Sequence, residues 1–130
     1  MKWTFIFHLL VPFCIWSQEL SLHLPEGDLT AFLTTTKKKK SPLVIIVPGS
    51  GPTDRDGNNA QMRNDALLLI SEGLAKKHIA SLRVDKRGIG SSTIKLNESD
   101  LSFDHFVEDL KRWVDKMLSL IHISEPTRPY

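Results

Sequence analysis

LVIIVPGSGPTDRDGNN, residues Leu43 to Asn59, is the stretch that decides the fold of this chain. Leu43-Val44-Ile45-Ile46-Val47 is a run of apolar, mostly β-branched residues. It reads as a central strand buried on both faces, as in a parallel sheet covered by helices. Pro48 ends the run, and the loop beyond it holds Gly49, Gly51, Pro52, Gly57 and four Asp or Asn residues. A glycine-rich loop at the C-terminal edge of a parallel sheet is where ligands usually sit. Its N–H groups can approach an anion because no Cβ stands in the way.

The flanking segments extend this pattern. Upstream, Leu20, Leu22 and Leu24 precede Pro-Glu-Gly-Asp, and Leu29, Ala31 and Leu33 follow it. Period-two alternation on both sides of a Gly-Asp turn reads as a β-hairpin. Downstream, Asn64 can cap a helix to about Lys77 with Leu67, Leu68, Ser71, Leu74 and Ala75 on one face. Ile79–Val84 reads as the next strand, and Asp85–Ser92 as a turn freed by Gly88 and Gly90. Ser102 can cap a second helix, with Leu101 stapled onto Phe106. Its expected apolar face is Phe103, Phe106, Val107, Leu110, Val114 and Met117. The expected architecture is therefore α/β: a hairpin, then two strand–helix units of a mainly parallel sheet.

Composition narrows the function. The chain has 130 residues, 41% apolar and 25% charged, with a formal charge of +2. Lys37–Lys40 is its only block of like charge, and a solvated turn accounts for it. No basic face interleaved with aromatics favours nucleic acid. Cys14 is the sole cysteine, which excludes an intrachain disulfide, and no C-x-x-C pair favours zinc. Residues 1–18 have the layout of a secretory leader: Lys2, an apolar run from Trp3 to Trp16, then a cut after Ser17 or Gln18. The run is too short to span a bilayer comfortably. Export to the periplasm or the medium is expected, with no membrane attachment after cleavage.

VPGSGPTDRDGNN, followed by RVDKRGIGSS from Arg83, resembles the N-terminal third of α/β-hydrolase-fold serine hydrolases. The likeness is to a secreted bacterial esterase or peptidase-like branch, and it covers roughly Leu20 to Met117. It implies an ester or peptide substrate, an acyl-enzyme mechanism and no cofactor or metal. It implies that the nucleophile, acid and histidine lie beyond residue 117, so that the chain as written is inactive. It places one oxyanion-hole donor just past Gly49, at the Ser50 N–H, with Gly51 as runner-up. Asp54, Arg55 and Asp56 would shape that loop, through Asx turns and an ion pair of Arg55 with a neighbouring carboxylate. Asp85 and Arg87 belong to the matching D-x-R-G-x-G-x-S loop, which borders the mouth of such sites and is mainly architectural.

Three domains follow: a leader at 1–18, the N-terminal part of a hydrolase domain at 19–117, and a tail at 118–130. The tail, LSLIHISEPTRPY, resembles a translated sequencing adapter. Leu118–Ser124 alternates well enough for a strand, but no G-x-S-x-G follows. His122, Ser124 and Glu125 lie too close together to form a triad. A sheet lacking its later strands is expected to leave an unpaired edge and exposed apolar faces.

Other readings fit less well. Dinucleotide binding requires G-x-G-x-x-G, whereas Pro52 lacks an N–H and Asp54 would repel a pyrophosphate. A calcium loop of the EF-hand type would want Gly at Asn59 and Glu at Asp65. His8, His23, His78 and His105 read as leader, surface or helix-end residues. A non-catalytic α/β-hydrolase-like binding protein is the alternative function.

Overall fold

The computed structural model describes residues 16–38 and 40–124, so most of the leader and the last six residues of the tail lie outside the described residues. Four strands form one mixed sheet in the order β1-β2-β4-β3. They are β1 (Ser17–Leu24), β2 (Gly27–Thr34), β3 (Leu43–Ile46) and β4 (Ala80–Val84). The hairpin turns at Pro25-Glu26, two residues earlier than the sequence suggested, and Gly27 and Asp28 already pair within it. β2 runs antiparallel to β4, and β3 runs parallel to β4. The β3–β4 crossover contains helix α1 (Ala66–Lys76), and helix α2 (Phe103–Ser124) follows β4.

Alternation along the strands sorts the two faces. Leu82 and Val84 share one face with Leu29 and Ala31. Trp113 and Met117 of α2 complete this cluster, and Leu20, Leu22, Leu24, Leu33, Leu43 and Ile45 pack around it. On the other face, Ser71 of α1 bonds Ser81 Oγ at 2.7 Å and Thr34 Oγ1 at 3.1 Å. All three hydroxyls are buried and each is partnered, so their burial carries no desolvation penalty left unanswered. Their small size lets α1 lie close against β4.

The fully buried strand is β4, and β3 is an edge among the described residues. Val44 and Val47 are 40% and 49% exposed, which corrects the expectation that β3 is covered on both faces. The second helix also differs. Its inward face is Phe106, Asp109, Trp113 and Met117, because Trp113 enters the core and Asp109 meets Arg87. Phe103, Val107, Leu110 and Val114 form an exposed stripe that Leu118 continues. Two adjacent faces of this helix are apolar, and periodicity alone does not choose between them. The helix runs through Ser124, where alternation had allowed a strand. No Gly or Pro interrupts it before Pro126.

Both helices have built ends. The Ser102 N–H donates to His105 Nδ1 at 3.0 Å, the return arm of a capping box with His in the usual Glu position. At the end of α1, Ile79 N–H bonds Leu74 O and His78 N–H bonds Ala75 O, a Schellman motif. His78 occupies its left-handed position with φ of 61°. We expect His78→Gly to stabilise the chain by about 0.5–1 kcal/mol in urea denaturation, by relieving that conformation. Trp113→Ala is expected to cost about 3–5 kcal/mol. Val114→Lys, one residue along but on the exposed stripe, should stay within about 0.5 kcal/mol. Equal losses at the two positions would contradict the observed rotation of α2.

Candidate active-site loops

Parallel pairing of β3 and β4 brings their C-terminal ends to one edge of the sheet. The loop from Val47 to Asp65 and the loop from Asp85 to Asn97 therefore meet there. Their junction is the Asp85 carboxylate, which is fully buried. It accepts the Arg55 N–H at 2.8 Å, Arg55 Nη1 at 2.6 Å, the Ser91 N–H at 3.0 Å and Thr30 Oγ1 at 3.3 Å. Two loops and a strand are thus tied to one side chain. Gly90 makes the approach of the Ser91 N–H possible: a Cβ at Gly90 would sit 2.4 Å from Asp85 Oδ1.

Arg55 also stacks over the Phe32 ring, 4.3 Å from its centroid. Beside it, the buried Arg83 guanidinium pairs with Asp56. Burial and the neighbouring Arg55 charge both push the Arg83 pKa below the usual arginine value. Asp54 closes the turn between them. Its Oδ1 accepts the Asp56 and Asn58 N–H groups, each at 2.9 Å, an Asx turn. Asn58 then accepts the N–H groups of Asn64 and Asp65 and seats the loop on the start of α1. The Asn58 amide holds the Asp65 carboxyl below its usual range. These acids are spent on arginines and backbone donors, and no metal-binding cluster occurs among the described residues.

Arg87 is buried in a two-pronged pair with Asp109 of α2, both contacts at 2.7 Å. That pair raises its pKa and turns the guanidinium away from the loop edge. Ser92 Oγ, the last residue of the motif, accepts the Thr30 N–H at 2.9 Å and anchors the second loop to β2.

The glycine stretch lies outside this buried network. Gly49, Ser50 and Gly51 are exposed, and Gly51 has φ of 83°. Neither the Ser50 nor the Gly51 N–H donates to another group among the described residues. Lys86 holds this stretch from the other loop. Its Nζ donates to Gly49 O at 2.6 Å and to Gly51 O. Burial pushes its pKa below the ordinary lysine value.

No family model matches the chain, and no curated protein matches it. Among solved structures it is similar to the α/β hydrolase GrgF from Penicillium sp. sh18, with a TM-score of 0.62 and 19% identity over 79% of this chain. The fold is that of part of an α/β hydrolase. The chain spans 32% of that protein's length.

Within this α/β-hydrolase fold, Gly49, Ser50, Gly51, Asp54, Arg55, Asp56 and Asp85 gather at one edge of the sheet, whereas Arg87 points into the contact with α2. Three contributors were missed in the sequence. Lys86 was passed over between two motif residues. Asp109 lies beside the expected apolar face of α2, with no sequence signal linking it to Arg87. Phe32 was one aromatic in an alternating strand. The remaining histidines stand apart: His23 pairs with Asp28 at the hairpin, while His78 and His105 serve helix ends.

Removing one partner of a buried ion pair leaves the other charge without solvent or partner. Asp85→Asn should therefore cost about 3–5 kcal/mol in chemical denaturation. Combined with Arg55→Met, the loss should fall below the sum of the single losses. Strict additivity would show that the two residues do not act as a pair.

Proposed function

We propose that this chain carries the oxyanion-hole side of a serine hydrolase that cleaves carboxylic esters or peptide bonds through an acyl-enzyme. The observation that supports it most is the open Ser50 N–H, set just past Gly49 at the C-terminal edge of the sheet. In an α/β hydrolase one oxyanion donor comes from the loop after this strand, and the other from the residue after the nucleophile. As a serine oxygen adds to the substrate carbonyl, the carbonyl oxygen gains negative charge. A donor fixed beforehand in that position lowers the barrier by about 3–4 kcal/mol.

The rest of the machinery is expected after Met117. His23 pairs with Asp28, His105 with Ser102 at the start of α2, and His78 closes the end of α1, so none of them is assigned as the base. The chain by itself is inactive in this reading, and residues 118–130 are foreign to the parent enzyme. Residues 1–18 direct export, and the substrate is a small ester or peptide. No nucleic acid, membrane or cofactor takes part.

A long read of the source DNA through the Met117 codon tests this. A strand of about five or six residues after a short loop should bring G-x-S-x-G within about twenty codons. The protein extended to include it should react with a fluorophosphonate probe, and the 130-residue chain should not. An elbow without serine would mark a binding protein instead. A read that ends in SEPTRPY and a stop would defeat the hydrolase reading for this product.

A further inference from the structure

We propose that Lys86 is a positioning residue, which turns the peptide planes of the glycine loop so that the Ser50 N–H faces an oxyanion. The proposal rests on the reading of this loop as an oxyanion site, and adds to it the side chain that sets the site's geometry. Gly49 C=O and Ser50 N–H belong to one planar trans peptide and point in opposite directions. Lys86 Nζ takes Gly49 O at 2.6 Å, so the Ser50 N–H is directed to the far side of that plane, away from the lysine. Nζ also takes Gly51 O, and the peptide after Gly51 belongs to Pro52, which has no N–H to misdirect. Both peptides that Lys86 grips are thereby fixed, and only the first carries a donor. This singles out Ser50 over Gly51.

The neighbouring charges set Lys86 apart. Arg55 and Asp85, Arg83 and Asp56, and Arg87 and Asp109 are paired with one another. Lys86 has no carboxylate within ion-pair distance among the described residues, and two backbone carbonyls are its partners. Its charge is therefore left uncancelled behind the loop, where it favours negative charge on the opposite side. An ammonium has three donors on one compact head, which suits two carbonyls close together. Without Lys86, the exposed Gly49-Ser50-Gly51 backbone has no other hold on either carbonyl except the Thr53 N–H on Gly51 O at 2.9 Å.

The test uses the isotope-labelled chain, titrated with inorganic phosphate while amide resonances are followed by NMR. In the unaltered protein, phosphate should shift the Ser50 amide more than the Gly51 amide. Lys86→Met should weaken that binding about tenfold, as expected for loss of one well-aimed charge-assisted contact. Its hydrogen exchange in β4 should be unchanged, because β4 is held by its neighbours and not by this loop. Lys86→Arg should recover part of the affinity. Lys77→Met removes an equal charge from the opposite edge of the sheet and should leave affinity intact. Phosphate shifts at Ser50 that persist in Lys86→Met would overturn the role of Lys86 while the oxyanion loop stands. Equal losses in Lys86→Met and Lys77→Met would reduce the role to bulk charge and overturn it too. No shift at Ser50 in the unaltered chain would instead count against the oxyanion reading itself.

Discussion

The Asp85 carboxylate is the constraint on which the loop edge of this structure depends. A fully buried carboxylate is costly unless its lone pairs are filled. Here Arg55, Ser91 and Thr30 fill them, and they come from three separate segments. The requirement to satisfy one buried charge therefore becomes a requirement that two loops and β2 keep fixed relative positions. The Asp54 Asx turn and the Arg83–Asp56 pair repeat that logic one shell further out. Such pairs contribute little net stability compared with an apolar core. Their effect is to specify a single arrangement of loops that have few apolar residues to do so.

Packing supplies the complementary half. The apolar cluster is small, centred on Leu29, Ala31, Leu82, Val84, Trp113 and Met117. It occupies one face of the sheet, while the opposite face is closed by hydroxyl contacts between α1, β2 and β4. The Arg87–Asp109 pair joins the two systems, since Asp109 stands one turn before Trp113 on α2. That coupling also explains the exposed stripe. Seating Trp113 and Asp109 together rotates Val107, Leu110 and Val114 outward, although they are as apolar as the face that is buried.

Much of the fold was legible because local signals agreed with one another. The hairpin alternation and the α1 face each follow from a period that tertiary packing then respects, and β4 lies within the expected Ile79–Val84. The misjudgements have a common physical origin. Whether β3 is central, and which side of α2 turns inward, depend on neighbours that sequence periodicity does not specify. The loops divide in the same way. Asp54 and Asn58 act within a few residues of themselves, so their turn was readable. Asp85 and Arg55 are thirty residues apart and Arg87 and Asp109 twenty-two, so their pairings were not.

Lys86 shows how such a loop can be rigid on one side and open on the other. Arginines serve the carboxylates of this network, and Arg87 meets the planar Asp109 carboxylate with two prongs. Converging carbonyls from Gly49 and Gly51 present no such plane, and a compact ammonium meets them from one point. The division follows from donor geometry. It also keeps the arginine–carboxylate pairs nearly neutral and leaves the lysine charge beside the open Ser50 N–H. For the proposed oxyanion site, that arrangement would place attraction in the backbone's alignment and not in a salt bridge to the ligand.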